Sequence, residues 1–197
     1  MLLFNKSTGE LLSVLLDEGY LTDIRTGAAG WIAAKYLAPK NIACVGIVGM
    51  GGQAFYQLKL LEFGTKCRRV LIWGRDEAKA KKLKDHPDLR GWNIEVAKDL
   101  NELTSTCNLI VTTTSSSKPL LWAHQIQAGT HITAVGTDES GKQELDPEIF
   151  MKADRIVVDS LSQCAEFGDV SYAIRQNLLK KERLIELVLG SGPIPFT

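Results

Sequence analysis

The sequence has no apolar run approaching the ~18–20 residues that a membrane-crossing helix needs. Its first residues, Met1-Leu2-Leu3-Phe4-Asn5-Lys6, have no basic region followed by a long apolar core, so they do not read as a secretory leader. There is no excess of charge: 23 basic residues balance 23 acidic ones. That balance argues against the one-sided footprint required by nucleic acid or an anionic membrane. Cysteine is sparse, and Cys44, Cys67, Cys107 and Cys164 form no C-x-x-C pair. Isolated thiols of this kind suit a reducing compartment, so a cytoplasmic location is expected. Histidine is sparser still, and His86, His124 and His131 are not spaced with cysteines or carboxylates as metal ligands would be. No metal is expected. No Ser/His/Asp or Cys/His order points to nucleophilic catalysis.

What is present centres on Cys44–Ala54. A short apolar run, the kind a buried parallel strand needs, breaks into Gly49, Gly51 and Gly52. A helical pattern follows, with Ala54, Leu58, Leu60 and Leu61 available for one face. Strand, glycine turn and helix together place a pyrophosphate on the free N–H groups of a helix N-terminus. The spacing Gly49-x-Gly51-x-x-Ala54 is the G-x-G-x-x-G/A form. Gly49 would permit the tight turn, and Gly51 the approach of backbone to phosphate. Ala54 would let the helix sit close to the strand. The competing reading is a glycine turn that binds nothing.

Along the chain, 1–38 reads as a hairpin and a linking helix. Met1–Phe4 and Leu11–Leu16 are the strands, with turn chemistry at Asn5–Gly9. Thr22 or Asp23 can cap a helix running to about Tyr36, and Pro39 ends it. From 39 to 160 strands and helices alternate. The strands are Ile42–Val48, Arg69–Trp73, Trp92–Val96, Leu109–Thr112, His131–Val135 and Arg155–Asp159. The helices are Gly52–Phe63, Asp76–Leu83 and Asp146–Met151, with a shorter piece at Leu100–Thr106. This alternation predicts a doubly wound parallel α/β sheet of Rossmann type with helices on both faces. From 161 to 197 the pattern is helical, with candidates at Gln163–Phe167, Tyr172–Leu179 and Glu182–Leu189.

Ligands of such sheets lie beyond the carboxyl ends of the strands. After the second strand the acidic residue that grips a ribose 2′-hydroxyl is missing. Gly74 stands there, followed by Arg75. A guanidinium without the carboxylate favours a 2′-phosphate, hence NADP(H), with NAD(H) possible. Asp76 either takes the ribose or caps the next helix. After the fourth strand, the hydroxyls and backbone of Thr112, Thr113 and Thr114 either contact the cofactor or form a plain polar loop. After the fifth, Val135 and Gly136 lead to Asp138, which either moves a proton while the cofactor moves a hydride or shapes a turn. Arg25, in the first turn of the linking helix, opposes the helix dipole and is either an anion site or a solvated side chain.

Several motifs together resemble the ornithine cyclodeaminase/mu-crystallin family. They are Leu21–Ala29, Gly49–Ala54, Trp73–Asp76, Val135–Asp138, Gly141–Pro147, Asp154–Asp159 and Gly168-Asp169. The resemblance covers about residues 1–190. It implies NAD(P)-dependent chemistry at Cα of a small amino or imino acid, and a homodimer. Arg25 resembles the arginine that meets the substrate carboxylate, and Thr26 a residue beside the cofactor phosphates. Gly49, Gly51, Gly52, Gln53 and Ala54 resemble the pyrophosphate turn, and Asp138 the catalytic acid/base. Cyclodeaminases take a hydride from Cα, let the side-chain amine attack the imine, expel ammonia and return the hydride. Ketimine reductases and alanine dehydrogenases run simpler versions. Family members carry a longer N-terminal region with further substrate-binding basic residues and much of the dimer sheet. They also continue past the Gly190 region. The chain is therefore read as truncated at both ends, with 1–38 a partial substrate/dimerisation domain. A competing reading is a non-catalytic NAD(P)-binding or interaction module.

Overall fold

The computed structural model describes residues 1–137 and 139–187. Strands β1 (Leu2–Phe4) and β2 (Leu11–Val14) pair antiparallel. The turn between them is organised by Asn5, whose Oδ1 accepts from the N–H groups of Ser7 (2.8 Å) and Thr8 (3.2 Å). Two strands have no second layer to bury against. Leu2, Leu3, Phe4, Leu11, Leu12 and Val14 are accordingly all at least 50% exposed.

Helix α1 (Tyr20–Leu37) follows. It begins behind Gly19, which takes φ 88°, and not at Thr22 or Asp23 as the sequence suggested. Asp17 supplies the capping oxygen, accepting from Leu21 N at 3.0 Å.

Strand β3 (Val45–Val48) and helix α2 (Gly52–Leu61) come next, then β4 (Arg69–Trp73) and α3 (Glu77–Lys84). Strand β5 (Asn93–Val96), α4 (Leu100–Thr106) and β6 (Leu109–Thr112) complete the first run. Then come β7 (Ser117–Leu121), β8 (His131–Ala134), β9 (Gln143–Leu145) and α5 (Ile149–Lys152). The last elements are β10 (Ile156–Val158), α6 (Leu161–Glu166), α7 (Asp169–Arg175) and β11 (Leu184–Glu186).

Five strands form the parallel sheet, in the order β5-β4-β3-β6-β8. Their side chains alternate between two cores, as the pleat requires. Val45, Ile47, Val70, Ile72, Leu109 and Val111 pack with Ala54, Leu58 and Leu61 of α2 and with Ala80 and Leu83 of α3. Cys44, Val48, Leu71 and Ile110 pack on the other face, with Leu103 of α4 and the C-terminal elements. Gly46 lets α4 close in, since a Cβ there would meet Leu103 at 2.7 Å.

Two expectations fail, and one pair of strands lies where the sequence suggested no element. Strands β7 and β9 are that pair, and they run parallel. Residues 156–158 leave the main sheet and pair parallel with β11. Residues 184–186, read as part of a helix, form that β11 partner; positions 188 and 189 of the same expectation lie outside the described residues.

Helix α1 lies along α2 through its small residues. A Cβ at Gly27 would sit 2.9 Å from the Tyr56 carbonyl oxygen, and one at Gly30 would overlap the Gln57 amide. Two α2 glutamines reach across. Gln53 Nε2 donates to Asp23 Oδ1 (2.8 Å), and Gln57 Nε2 donates to the Thr26 carbonyl (3.1 Å). Among the described residues no helix is long and apolar enough to cross a membrane.

Candidate functional site

The glycine turn closes β3 where the strand order reverses, between β4 on one side and β6 on the other. That is where a doubly wound sheet opens a crevice. Gly49 takes φ 118°, and its N–H donates to the Trp73 carbonyl at 2.8 Å. From the β6 side, Thr113 N–H donates to the Val48 carbonyl at 2.8 Å, and its hydroxyl donates to the same oxygen at 3.3 Å. The turn is thus tied to both neighbouring strands. Gly51 faces open space, with nothing within 4 Å of where a Cβ would stand. Among the described residues no side chain caps α2, whereas Asp76 caps α3 and Asp99 caps α4. Uncapped N–H groups behind an open glycine fit a pyrophosphate. Ala54 is fully buried against the strand. The Gln53 side chain turns away to Asp23, which leaves its backbone N–H for the turn.

At the end of β4, Arg75 is exposed. The Asp76 carboxylate accepts from Lys79 N at 3.1 Å, which is the helix-cap reading. A Cβ at Gly74 would stand 3.0 Å from the Met50 side chain, which would have to shift by a few tenths of an ångström.

Beyond β6 and β8 the expected cofactor loops share a partner that the sequence reading did not assign. Glu144, on β9, is fully buried. Its carboxylate accepts from Thr112 Oγ1 (2.7 Å), Thr114 N (2.5 Å) and Gly136 N (3.1 Å). Asp169, at the start of α7, lies behind it. Asp169 accepts from the N–H groups of Glu144 and Leu145 (both 2.7 Å) and from the Thr137 hydroxyl (2.9 Å). The Thr112 hydroxyl and the N–H groups of Thr114 and Gly136 are therefore spent on the protein. The sequence signals for the two acids were the Gly141–Pro147 motif and the Gly168-Asp169 pair. Val135 is half-buried, its N–H donating to the Thr112 carbonyl at 3.0 Å.

Burial pushes the Glu144 carboxyl up from 4.5 to about 7, against the pull of its hydrogen bonds. Burial also raises Asp169. A carboxyl raised on folding binds its proton more tightly in the folded state. Its contribution to stability is full below the unfolded value and is lost as pH rises through the folded one. For Glu144 that loss amounts to about 3 kcal/mol between pH 4.5 and about 7. Thermal melts across this range should show the wild type losing stability relative to Glu144→Gln as pH rises. Parallel curves would refute the shift. Burial lowers His131 to about 4. It sits at the amino end of β8, opposite the carboxyl ends where ligands bind, with Nε2 2.9 Å from Thr133 Oγ1.

Arg25 is exposed and, among the described residues, unpaired. Asp23, Gly27 and Gly30 mark the side of α1 that meets α2. At ~100° per residue, Arg25 is about 200° round α1 from Asp23, on the side away from α2. Thr26 is half-buried, with its hydroxyl on the Thr22 carbonyl at 2.8 Å. Asp138 lies outside the described residues, directly after Thr137. Among the described residues, no group of three or more His, Cys, Asp or Glu side chains is placed to hold a metal ion.

The model of the ornithine cyclodeaminase/mu-crystallin family matches residues 1–192. The chain belongs to this family. An alanine dehydrogenase of Archaeoglobus fulgidus is 42% identical over 182 residues, covering 92% of the chain and 55% of that relative. An archaeal alanine dehydrogenase dimer with bound NAD superposes with a TM-score of 0.83 at 40% identity, over 93% of this chain and 56% of that one. The Δ1-pyrroline-2-carboxylate reductase of Thermococcus litoralis, in complex with NADH and L-proline, gives 0.85 at 28% identity, over 93% and 57%. The chain thus spans little more than half the length of these family members.

Proposed function

We propose that this chain carries the dinucleotide-holding part of an NAD(P)-dependent oxidoreductase acting at Cα of a small amino or imino acid. The open, uncapped glycine turn at the strand-order reversal carries this reading. Similar proteins are named as dehydrogenases and reductases and also as cyclodeaminases, and both chemistries begin with hydride transfer at Cα. A bound nicotinamide would supply or accept the hydride. Gly49, Gly51, Gly52 and the backbone of Gln53 would hold the pyrophosphate. Thr113 fixes the turn by its two bonds to Val48. Arg25 would meet the substrate carboxylate. Asp138 would give a proton to the imine nitrogen in reduction and take it back in oxidation, which keeps charge balanced as the hydride moves. Thr26 keeps its carbonyl on Gln57, so its proposed place beside the phosphates depends on its hydroxyl or methyl.

Fluorescence titration with NADPH and NADH tests the cofactor, and turnover of cyclic ketimines, pyruvate with ammonia, and L-ornithine tests the chemistry. Absence of binding to either nucleotide at millimolar concentration would sink the reading. Binding without turnover of any of these would leave only a dinucleotide module.

The preference for NADP(H) rests on exposed Arg75 after Gly74. The two similar solved structures carry NAD and NADH. Arg75→Ala should lower NADPH affinity about tenfold and leave NADH within about twofold, the loss of one charged phosphate contact. An equal effect on both would remove Arg75 from that role.

A further inference from the structure

Among the described residues Glu144 and Asp169 are buried acids that each take three donors, and no part of the proposed chemistry uses Glu144. Its two oxygens take three donors from two separate loops. Thr112 and Thr114 belong to the end of β6, and Gly136 to the end of β8. The loops meet closely around it: a Cβ at Gly136 would collide with the Thr114 backbone and with the Glu144 carboxylate. Asp169 in turn fixes Glu144 from behind through the N–H groups of residues 144 and 145, and fixes Thr137 through its hydroxyl. Both loops lie past the glycine turn, on the side of the switch point away from Arg75. In a dinucleotide laid across the crevice, that side takes the half beyond the pyrophosphate.

We propose that Glu144 is a positioning residue of the cofactor site: by pinning the loops after β6 and β8 to each other, it preforms the seat for the nicotinamide half of the dinucleotide. The inference rests on the dinucleotide reading and adds a residue to it. The chemistry of the acceptor set explains why the residue is an acid. Two of the three donors are backbone N–H groups, one directed at each oxygen. A glutamine would put its NH2 against one of them whichever way its amide turned. An amide nitrogen accepts no hydrogen bond, so glutamine cannot rebuild the clamp, and the two loops would separate on the side where the N–H groups repel.

Binding of two probes separates this role from a general one. ADP reaches only the adenosine half and the glycine turn, while NAD(P)H also needs the seat beyond it. In Glu144→Gln, NAD(P)H affinity should fall by about 10–100-fold, the loss expected when charge-assisted bonds are broken and a donor is stranded. ADP affinity should stay within about twofold of the wild type. An unchanged NAD(P)H affinity would overturn the proposal. So would a parallel loss of ADP and NAD(P)H, which would make Glu144 a support of the fold alone. Should Glu144→Gln fail to fold, Thr112→Val, which removes one of the three donors at nearly constant volume, applies the same criterion. It should lower NAD(P)H affinity severalfold and spare ADP, and any other pattern overturns the proposal. If the wild type binds neither probe, the dinucleotide reading itself fails and takes this proposal with it.

Discussion

Gly49→Ala is expected to remove measurable dinucleotide binding and to lower the melting temperature by about 5–15 °C. The backbone at Gly49 has φ 118°, outside the range that L side chains adopt. A Cβ would also press on Thr113, whose carbonyl carbon and oxygen both lie 3.1 Å from its place. Neither neighbour can give way easily. Thr113 is bonded to the Val48 carbonyl through its N–H and its hydroxyl, and Gly49 itself is bonded to the Trp73 carbonyl. Strained backbone and overpacking each cost about 1–3 kcal/mol. For a chain of this size, ~2–4 °C accompanies each kcal/mol. If the turn relaxes, it moves the N–H groups meant for the phosphates, and ~1.4 kcal/mol is already a tenfold loss in affinity. Gly51→Ala is the informative control. Its Cβ meets no protein atom, so it should fold normally and still weaken binding, because the added methyl occupies the space left for the ligand. Calorimetric melts and nucleotide titrations of the two variants check both statements. Full-affinity binding by Gly49→Ala would show that the pyrophosphate lies elsewhere.

Asp138→Asn should lower turnover by about 10²–10⁴-fold while the affinity for NAD(P)H is retained, the range for loss of a general acid/base. The aspartate follows two residues that are fixed in place. Gly136 gives its N–H to Glu144, and Thr137 gives its hydroxyl to Asp169. Proton transfer needs a group held near the reacting nitrogen, and the two described residues before position 138 are anchored. Asparagine keeps the size and loses the transferable proton. The pH profile of kcat/KM should lose the limb that reports this carboxyl. Wild-type turnover in Asp138→Asn would assign the proton transfer to another group.

The main sheet and its glycine turn were legible because their signals are local. Apolar runs mark β3, β4 and β6, and Gly49, Gly51 and Gly52 interrupt the first of them at the right point. Asp76 and Asp99 mark helix starts in the same way. The acid-centred part was not legible. β9 is Gln143-Glu144-Leu145, a polar stretch whose complete burial depends on Asp169, 25 positions later. β7 holds Pro119 and begins within a run of serines, both poor signs of a strand. β11 has a short apolar pattern that suits a helix as well, and only its parallel partner Ile156–Val158 decides between them. The start of α1 was missed for a related reason. Asp23 looks like a cap, but Gln53 on another helix occupies its side chain.

The acid at position 144 has a consequence for exchanging parts between relatives. Loops at strand ends are usually treated as interchangeable modules, to be grafted one at a time when a new substrate preference is sought. Here the segments after β6 and β8 close on a single carboxylate, and that carboxylate hangs from α7 through Asp169. A graft that changes one segment leaves a charged oxygen without its donor inside the protein. Segments 112–114, 136–137 and 143–145 and residue 169 form one inheritable unit, and recombination between family members should succeed when its boundaries fall outside that unit.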